Sequence, residues 1–235
     1  MKTLIKNYVV LLVLALGTTT LLLGCEKESE TEPNSVMYVD LNGYSRFNHQ
    51  ALVDTLDRFP KGDLSDEEMA GLLFIHEEEK LAHDVYTVLY QRWDNQVFYN
   101  IARSEQTHTN AVRVLIERYD LIDPANPDNP GVFRDTSLQR LYDMLVVSGF
   151  ESEIEALQVG AAIEEIDILD LEWQLENVAD NPDIVLVYQN LQRGSRNHLR
   201  AFVRNLTRRG IDYEPRYMTR ILYDQTVGDQ MERGR

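Results

Sequence analysis

Cysteine is almost absent from this chain. Of 235 residues only Cys25 carries a thiol. A disulfide framework within the chain is therefore excluded, and stability has to come from packing or from metal. Basic residues are also scarce, 23 against 39 acids, for a formal net charge of −16. A basic face for nucleic acid is not expected from that balance. The acidity reads as a solvated surface and does not by itself imply a cationic partner. No stretch alternates convincingly between apolar and polar with period two, so no sheet is expected. No internal repeat is evident. The length suits one large domain or two small ones.

The N-terminus is a targeting segment. Lys2 and Lys6 precede the apolar run "YVVLLVLALGTTTLLLG", which ends in "LLGC". Leu22, Leu23, Gly24 and Cys25 resemble a bacterial lipobox, so residues 1–24 read as a lipoprotein signal peptide and Cys25 as the lipidation site. The rival is an uncleaved membrane anchor, for which the run is barely long enough. The lipobox places the chain in the bacterial cell envelope, at the periplasm, outer membrane or cell surface. Lipid at Cys25 leaves no thiol for catalysis. "EKESETEPNS" follows as an acidic tether, and residues 25–62 form an N-terminal extension with one short helix expected over "FNHQALVDTLDRF".

From residue 63 the signals are helical. "LSDEE" places Ser65 and Glu68 as a capping box, opening a helix to about Tyr90. A second helix is predicted from about Phe98 to Tyr119. "DLIDPANPDNPG", with three prolines, ends it. "TSLQRLYDMLVVSG" forms a shorter helix. Long helices follow over about 152–178 and 184–208, with "ADNPD" between them and Gly210 as a stop. The fold class expected is all-α: a four-helix bundle over residues 63–210. The first and last pairs of long helices form hairpins, and a long crossover carries the extra helix between them. In the tail, 211–235, Tyr217, Ile221 and Leu222 are candidates to pack on the bundle.

Polar residues interrupt each apolar stripe. Leu72, Ile75, Glu79, Ala82, Tyr86 and Leu89 run with steps of three and four. On the second helix Phe98, Ile101, Val112 and Leu115 leave Glu105 and His108 on the missing steps. On the third, Leu157, Ala161, Ile168 and Leu175 leave Glu164 or Glu165, which spacing does not separate. On the fourth, Ile184, Tyr188, Leu191 and Phe202 leave Ser195 and His198. Inward carboxylates without lysine or arginine repel one another, and a metal pair resolves the conflict. Carboxylate and imidazole donors suit iron or manganese. The "HEEEK" run places Glu77 on the surface, and His76 and His83 off the centre of the stripe.

"EEEKLAHDVY", "SEQTH", "GAAIEEIDILDLE" and "GSRNHLRAF", in that order, resemble an uncharacterised bacterial domain family of the ferritin-like superfamily. The resemblance covers about Leu64 to Arg208. The ferritin and rubrerythrin pattern it implies is met by Glu79 with Ala82 and Tyr86, and by Glu105 with His108. On the third helix it is met by Glu165 with Asp167, or by Glu164 with Asp167 as a further ligand. On the fourth helix His198 matches, but Ser195 stands where a glutamate belongs. The resemblance implies a lipid-anchored di-metal protein, with two irons or manganese as cofactor. Its activity would be oxidation of Fe(II) or reduction of peroxide or oxygen, with Tyr86 supplying a hydrogen bond or an electron. The alternative is a non-catalytic envelope binding or interaction module with a vestigial or structural metal. Partners expected are metal ions and the membrane, through the lipid; a homodimer is left open.

Overall fold

The structure is a computed structural model that describes residues 35–40, 42–125 and 129–233. The leader and Cys25 lie outside the described residues. Seven helices are present among the described residues, with one small strand pair. Strands β1 (Met37–Val39) and β2 (Ser45–Phe47) pair antiparallel, Val39 opposite Ser45. Helix α1 spans His49–Leu56, capped by Asn48. The long helices are α2 (Asp66–Trp93), α3 (Gln96–Arg118), α5 (Glu153–Asn177) and α6 (Pro182–Thr207). Helix α4 (Thr136–Gly149) sits in the connection between α3 and α5, and α7 (Arg220–Gly228) closes the chain.

Local chemistry explains the boundaries. Ser65 accepts from the Glu68 amide while the Glu68 carboxylate accepts from the Ser65 amide, completing the capping box of α2. Helix α2 stops at Asp94, which takes the left-handed conformation at φ 50°. Asn95 then caps α3. Ser152 caps α5, and Pro182 opens α6 where its missing N–H costs nothing.

Helices α2 and α3 pack as one pair, and α5 and α6 as another. Contacts of α3 with α6 and of α2 with α5 close the four into a ring, as a helical bundle requires. The core divides into two apolar clusters. One holds Tyr86, Phe98, Ile101, Leu157 and Phe202. The other holds Leu72, Ile75, Val112, Leu115, Tyr188 and Leu191. Each such buried side chain contributes roughly 1.5–3 kcal/mol from apolar burial. The order in which each helix visits the clusters gives its direction. Helices α2 and α6 run from the second cluster to the first, and α3 and α5 run the other way. Because α3 and α5 point alike, the chain must travel back between them, and the segment with α4 makes that return.

Two features depart from the expectations. The strand pair was not foreseen, because its strands are three residues each and show no usable alternation. It lies against α3 and brings Ser45 into the core, fully buried. The tail packs through Tyr213, Met218 and Tyr223, while Tyr217 and Ile221 are exposed; of the candidates there, Leu222 alone lies partly buried against the core. Among the described residues no helix is long and apolar enough to cross a membrane.

Candidate metal centre

Between the two apolar clusters lies a polar layer. The stripe positions Glu79 of α2, Glu105 and His108 of α3 and Ser195 and His198 of α6 are all buried. Glu105 sits at the middle. Its Oε2 is 2.8 Å from His108 Nδ1, and its Oε1 is 2.8 Å from His198 Nδ1. The i,i+3 spacing on α3 holds Glu105 and His108 on one face. Glu79 Oε2 lies 3.2 Å from His108 Nδ1, and Glu164 Oε2 lies 3.4 Å from His198 Nδ1. The two imidazoles stack with centroids 5.3 Å apart. Two Glu–His pairs therefore share one bridging carboxylate.

Glu105, His108 and His198 each offer a donor atom within 4.8 Å of the others, so this buried group could hold one metal ion. The donor atoms are poorly used by the protein itself. Glu79 Oε1, Glu105 Oε1, Asp167 Oδ1 and His198 Nδ1 are buried without an aligned hydrogen bond, although Glu105 and His198 approach to 2.8 Å. Buried polar groups are otherwise almost always satisfied, so donor atoms left without aligned bonds around one carboxylate are candidates to hold an ion. Among the described residues no lysine or arginine is paired with Glu79, Glu105, Glu164 or Asp167.

The electrostatics follow from burial and crowding. Burial raises Glu79, His108 draws it back, Glu105 raises it again, and it comes to about 7. Glu164 reaches about 7 in the same way, with His198 opposing burial. Burial raises Asp167 well above the usual carboxylate range, and the Glu79 and Glu164 charges add to this. Burial acts to raise Glu105 too, but His198 and His108 together hold it far below its ordinary value. Burial opposes charge on both histidines, yet the neighbouring carboxylates raise them, His198 to about 9.

Ser45 orients the rings. Its Oγ lies 2.8 Å from His108 Nε2 and 3.0 Å from His198 Nε2. A hydroxyl oxygen has two lone pairs and can accept an N–H from each ring. With both Nε2 protonated, both Nδ1 atoms turn toward the carboxylates and are free to bind a metal. Ser45 is itself fixed, because its amide donates to Ser104 Oγ at 2.9 Å. Tyr86 donates to Glu164 Oε1 at 2.6 Å and holds that carboxylate in place. Ser195 Oγ meets an Asp167 carboxylate oxygen and, at 3.0 Å, the Leu191 carbonyl, two acceptors that share its single proton.

The structure separates the two glutamates that spacing left open. Glu164 faces the layer. Glu165 is also buried but does not join it, contrary to the ligand set expected from the sequence. Its Oε1 accepts from Tyr213 Oη at 2.6 Å and from the Arg216 amide at 3.1 Å. Its Oε2 accepts from the Tyr217 and Met218 amides, each at 2.7 Å. One residue further along a helix turns a side chain by about 100°, so Glu165 aims at the tail. The tail supplies four donors that exhaust its oxygens.

The surface assignment of Glu77 also gives way. Glu77 is buried and accepts from the amides of Arg134 and Asp135 at 2.6 and 2.9 Å. Helix α4 covers the outer face of α2, so the "HEEEK" run is interior on more than one side. His76 is fully buried, with Nε2 2.9 Å from Asp123, and His83 is half-buried beside Asp84. Neither reaches the layer group. Ser45 carries no sequence signal for its role: a lone serine 63 residues before His108 acquires one only when the strand pair folds against α3.

Comparison with known proteins agrees with this extent. Residues 68–230 match the family model described as "Uncharacterized protein domain (DUF2202)". The chain is 48% identical over 183 residues to an uncharacterised protein of Methanocaldococcus jannaschii, MJ0754, covering 78% of this chain and 98% of that one. It also superposes on the crystal structure of the hypothetical protein MJ0754, with a TM-score of 0.71, over 74% of this chain and 98% of that chain.

Proposed function

From the premise that this chain belongs to the DUF2202 family, we propose that it is a ferritin-like di-metal carboxylate protein. It would hold two metal ions, most naturally iron, at the polar layer. The observation that carries this reading is the buried carboxylate and imidazole donor set converging around Glu105. These donor types suit iron or manganese. The up-down-down-up course of the four long helices is the course expected of a ferritin-like bundle.

Glu79, Glu105, His108, Glu164 and His198 would hold the ions. Bound iron would supply one-electron chemistry toward oxygen or peroxide. The rest falls to the chain. Ser45 keeps both Nδ1 atoms available. Tyr86 fixes Glu164 and offers a phenol hydrogen at its Oε1. Burial excludes water from the layer, which strengthens every charge interaction there. The activity that follows is oxidation of Fe(II) or reduction of peroxide. The lipobox further supports attachment through Cys25 to a bacterial envelope membrane.

The second reading is a non-catalytic module with a structural metal, and Ser195 favours it. A fourth-helix glutamate is missing there, and the hydroxyl is already engaged by Asp167. Metal analysis of protein from aerobic, iron-replete cultures tests the main reading. Two irons per chain and near-ultraviolet oxo-bridge absorption are expected, both lost in Glu105→Ala and His108→Ala. A protein free of transition metal under those conditions would sink the proposal. Peroxide consumption by the iron-loaded protein separates the two readings.

A further inference from the structure

A cavity of about 640 Å³ opens between α6, the end of α7 and the tail. Its lining carries three guanidinium groups, Arg200 and Arg204 of α6 and Arg233 of the tail, against one carboxylate, Asp229. That excess of positive charge runs against a chain with 39 acids and 23 bases. Arg200 is 4% exposed, whereas Arg204 and Arg233 are exposed. The step of four residues stacks Arg200 and Arg204 one turn apart on a single face of α6. Arg200 follows His198 by two residues, about 200° around the helix, so the cavity lies away from the metal layer. Outside the lining Asp40 acts on Arg204, as does Arg208.

The same face of α6 already takes one carboxylate from its own chain. Glu232 accepts from Arg196 Nε at 2.7 Å and Nη2 at 2.5 Å, and from Arg200 Nη2 at 2.9 Å. Asn197 fixes the backbone of Glu232, accepting from its amide at 2.8 Å and donating to its carbonyl at 3.1 Å. Arg200 is locked as well, with Nε on the Thr226 carbonyl at 2.7 Å and Nη1 on Asn197 Oδ1 at 2.9 Å. A guanidinium has five N–H donors, so this preorganised one keeps two for a further oxyanion. Arg204 and Arg233 add their forks from helix and tail, and such forks match the paired oxygens of phosphate and carboxylate. The cavity is larger than an inorganic ion needs and suits a small organic molecule, with Val227 as apolar wall.

We propose that this cavity binds a small organic anion, through a phosphate or carboxylate group held by Arg200, Arg204 and Arg233. The site is independent of any metal at the layer. Isothermal titration of the full-length protein tests it, with glycerol 3-phosphate and tricarballylate as the two anions and glycerol as the neutral control. At least one anion should saturate at one site per chain, and which of them does so assigns the group. Glycerol should not bind. The Arg204→Gln/Arg233→Gln double variant should weaken binding by about tenfold or more, which is about 1.4 kcal/mol. Asp229→Asn removes the carboxylate of the lining and should tighten binding roughly twofold or more. Melting curves close to wild type check that both variants fold. Added salt should weaken binding, because two of the three arginines are exposed. His108→Ala should bind the anion as wild type does. Saturable binding by neither anion, or unchanged affinity in both cavity variants, would overturn the site. Loss of binding in His108→Ala would place the anion at the layer and overturn it equally.

Discussion

Replacing Gly194 with alanine places a methyl group against the His108 ring. A Cβ there would stand 2.6 Å from His108 Cε1, 2.8 Å from Nε2 and 3.3 Å from Ser45 Oγ. Carbon atoms in ordinary contact are about 3.5–4.0 Å apart, so the ring must withdraw by roughly 1 Å. It has little room. Phe47 meets it edge-on at 5.7 Å, His198 stacks at 5.3 Å, and Glu79 and Glu105 close the far side. Overpacking of this kind costs about 1–3 kcal/mol. Alanine in place of glycine within a helix returns about 1 kcal/mol. The net loss is therefore about 0–2 kcal/mol, a fall in Tm of no more than about 8 °C for a chain of this size. Metal binding should suffer more. Ligand distances tolerate only about 0.2 Å, several times less than the required shift. Iron or Mn(II) affinity at the layer should drop at least tenfold, which is about 1.4 kcal/mol. Differential scanning calorimetry and metal titration of the same preparation give both numbers. An affinity within twofold of wild type would refute the placement of His108 as a ligand held by its present packing.

Ser45→Ala should leave the fold intact but lower metal affinity about 10- to 100-fold, as loss of a group orienting metal-binding histidines does, measured by competition with a chromophoric chelator. Glu165→Ala should strip the acceptor from Tyr213 and three tail amides; at roughly 1–3 kcal/mol per stranded donor it should destabilise by at least 3 kcal/mol in urea unfolding and expose the tail to protease. In chelator-treated protein the folded state should bind more protons than the unfolded chain across about pH 4.5–9, since Glu79 and Glu164 rise from 4.5 to about 7 and His198 from 6.5 to about 9. Its Tm should therefore fall as pH rises through that window, whereas the lowered Glu105 acts the opposite way only below about pH 4.5; a flat or rising Tm would contradict the assignment.

The stripes themselves were legible because a bundle helix must repeat its apolar residues every three or four positions, and any polar residue on a missing step is forced inward. That argument placed Glu79, Glu105, His108, Ser195 and His198 in the interior, and each is buried there. It had no power over Glu164 and Glu165. Adjacent residues on a helix differ by about 100°, and with α4, α6 and the tail all packed around α5, two directions out of that helix are equally enclosed. Which direction is the centre and which is the tail depends on Tyr213 and on the backbone of 216–218, some fifty residues later in the chain. Glu77 escaped for a similar reason. A charge run reads as solvated until a crossover helix is laid over it. Burial of Glu77 on α2 thus follows from the return segment between α3 and α5. That segment converts the outer face of α2 into a second interior surface, where Glu77 accepts from the Arg134 and Asp135 amides just ahead of α4.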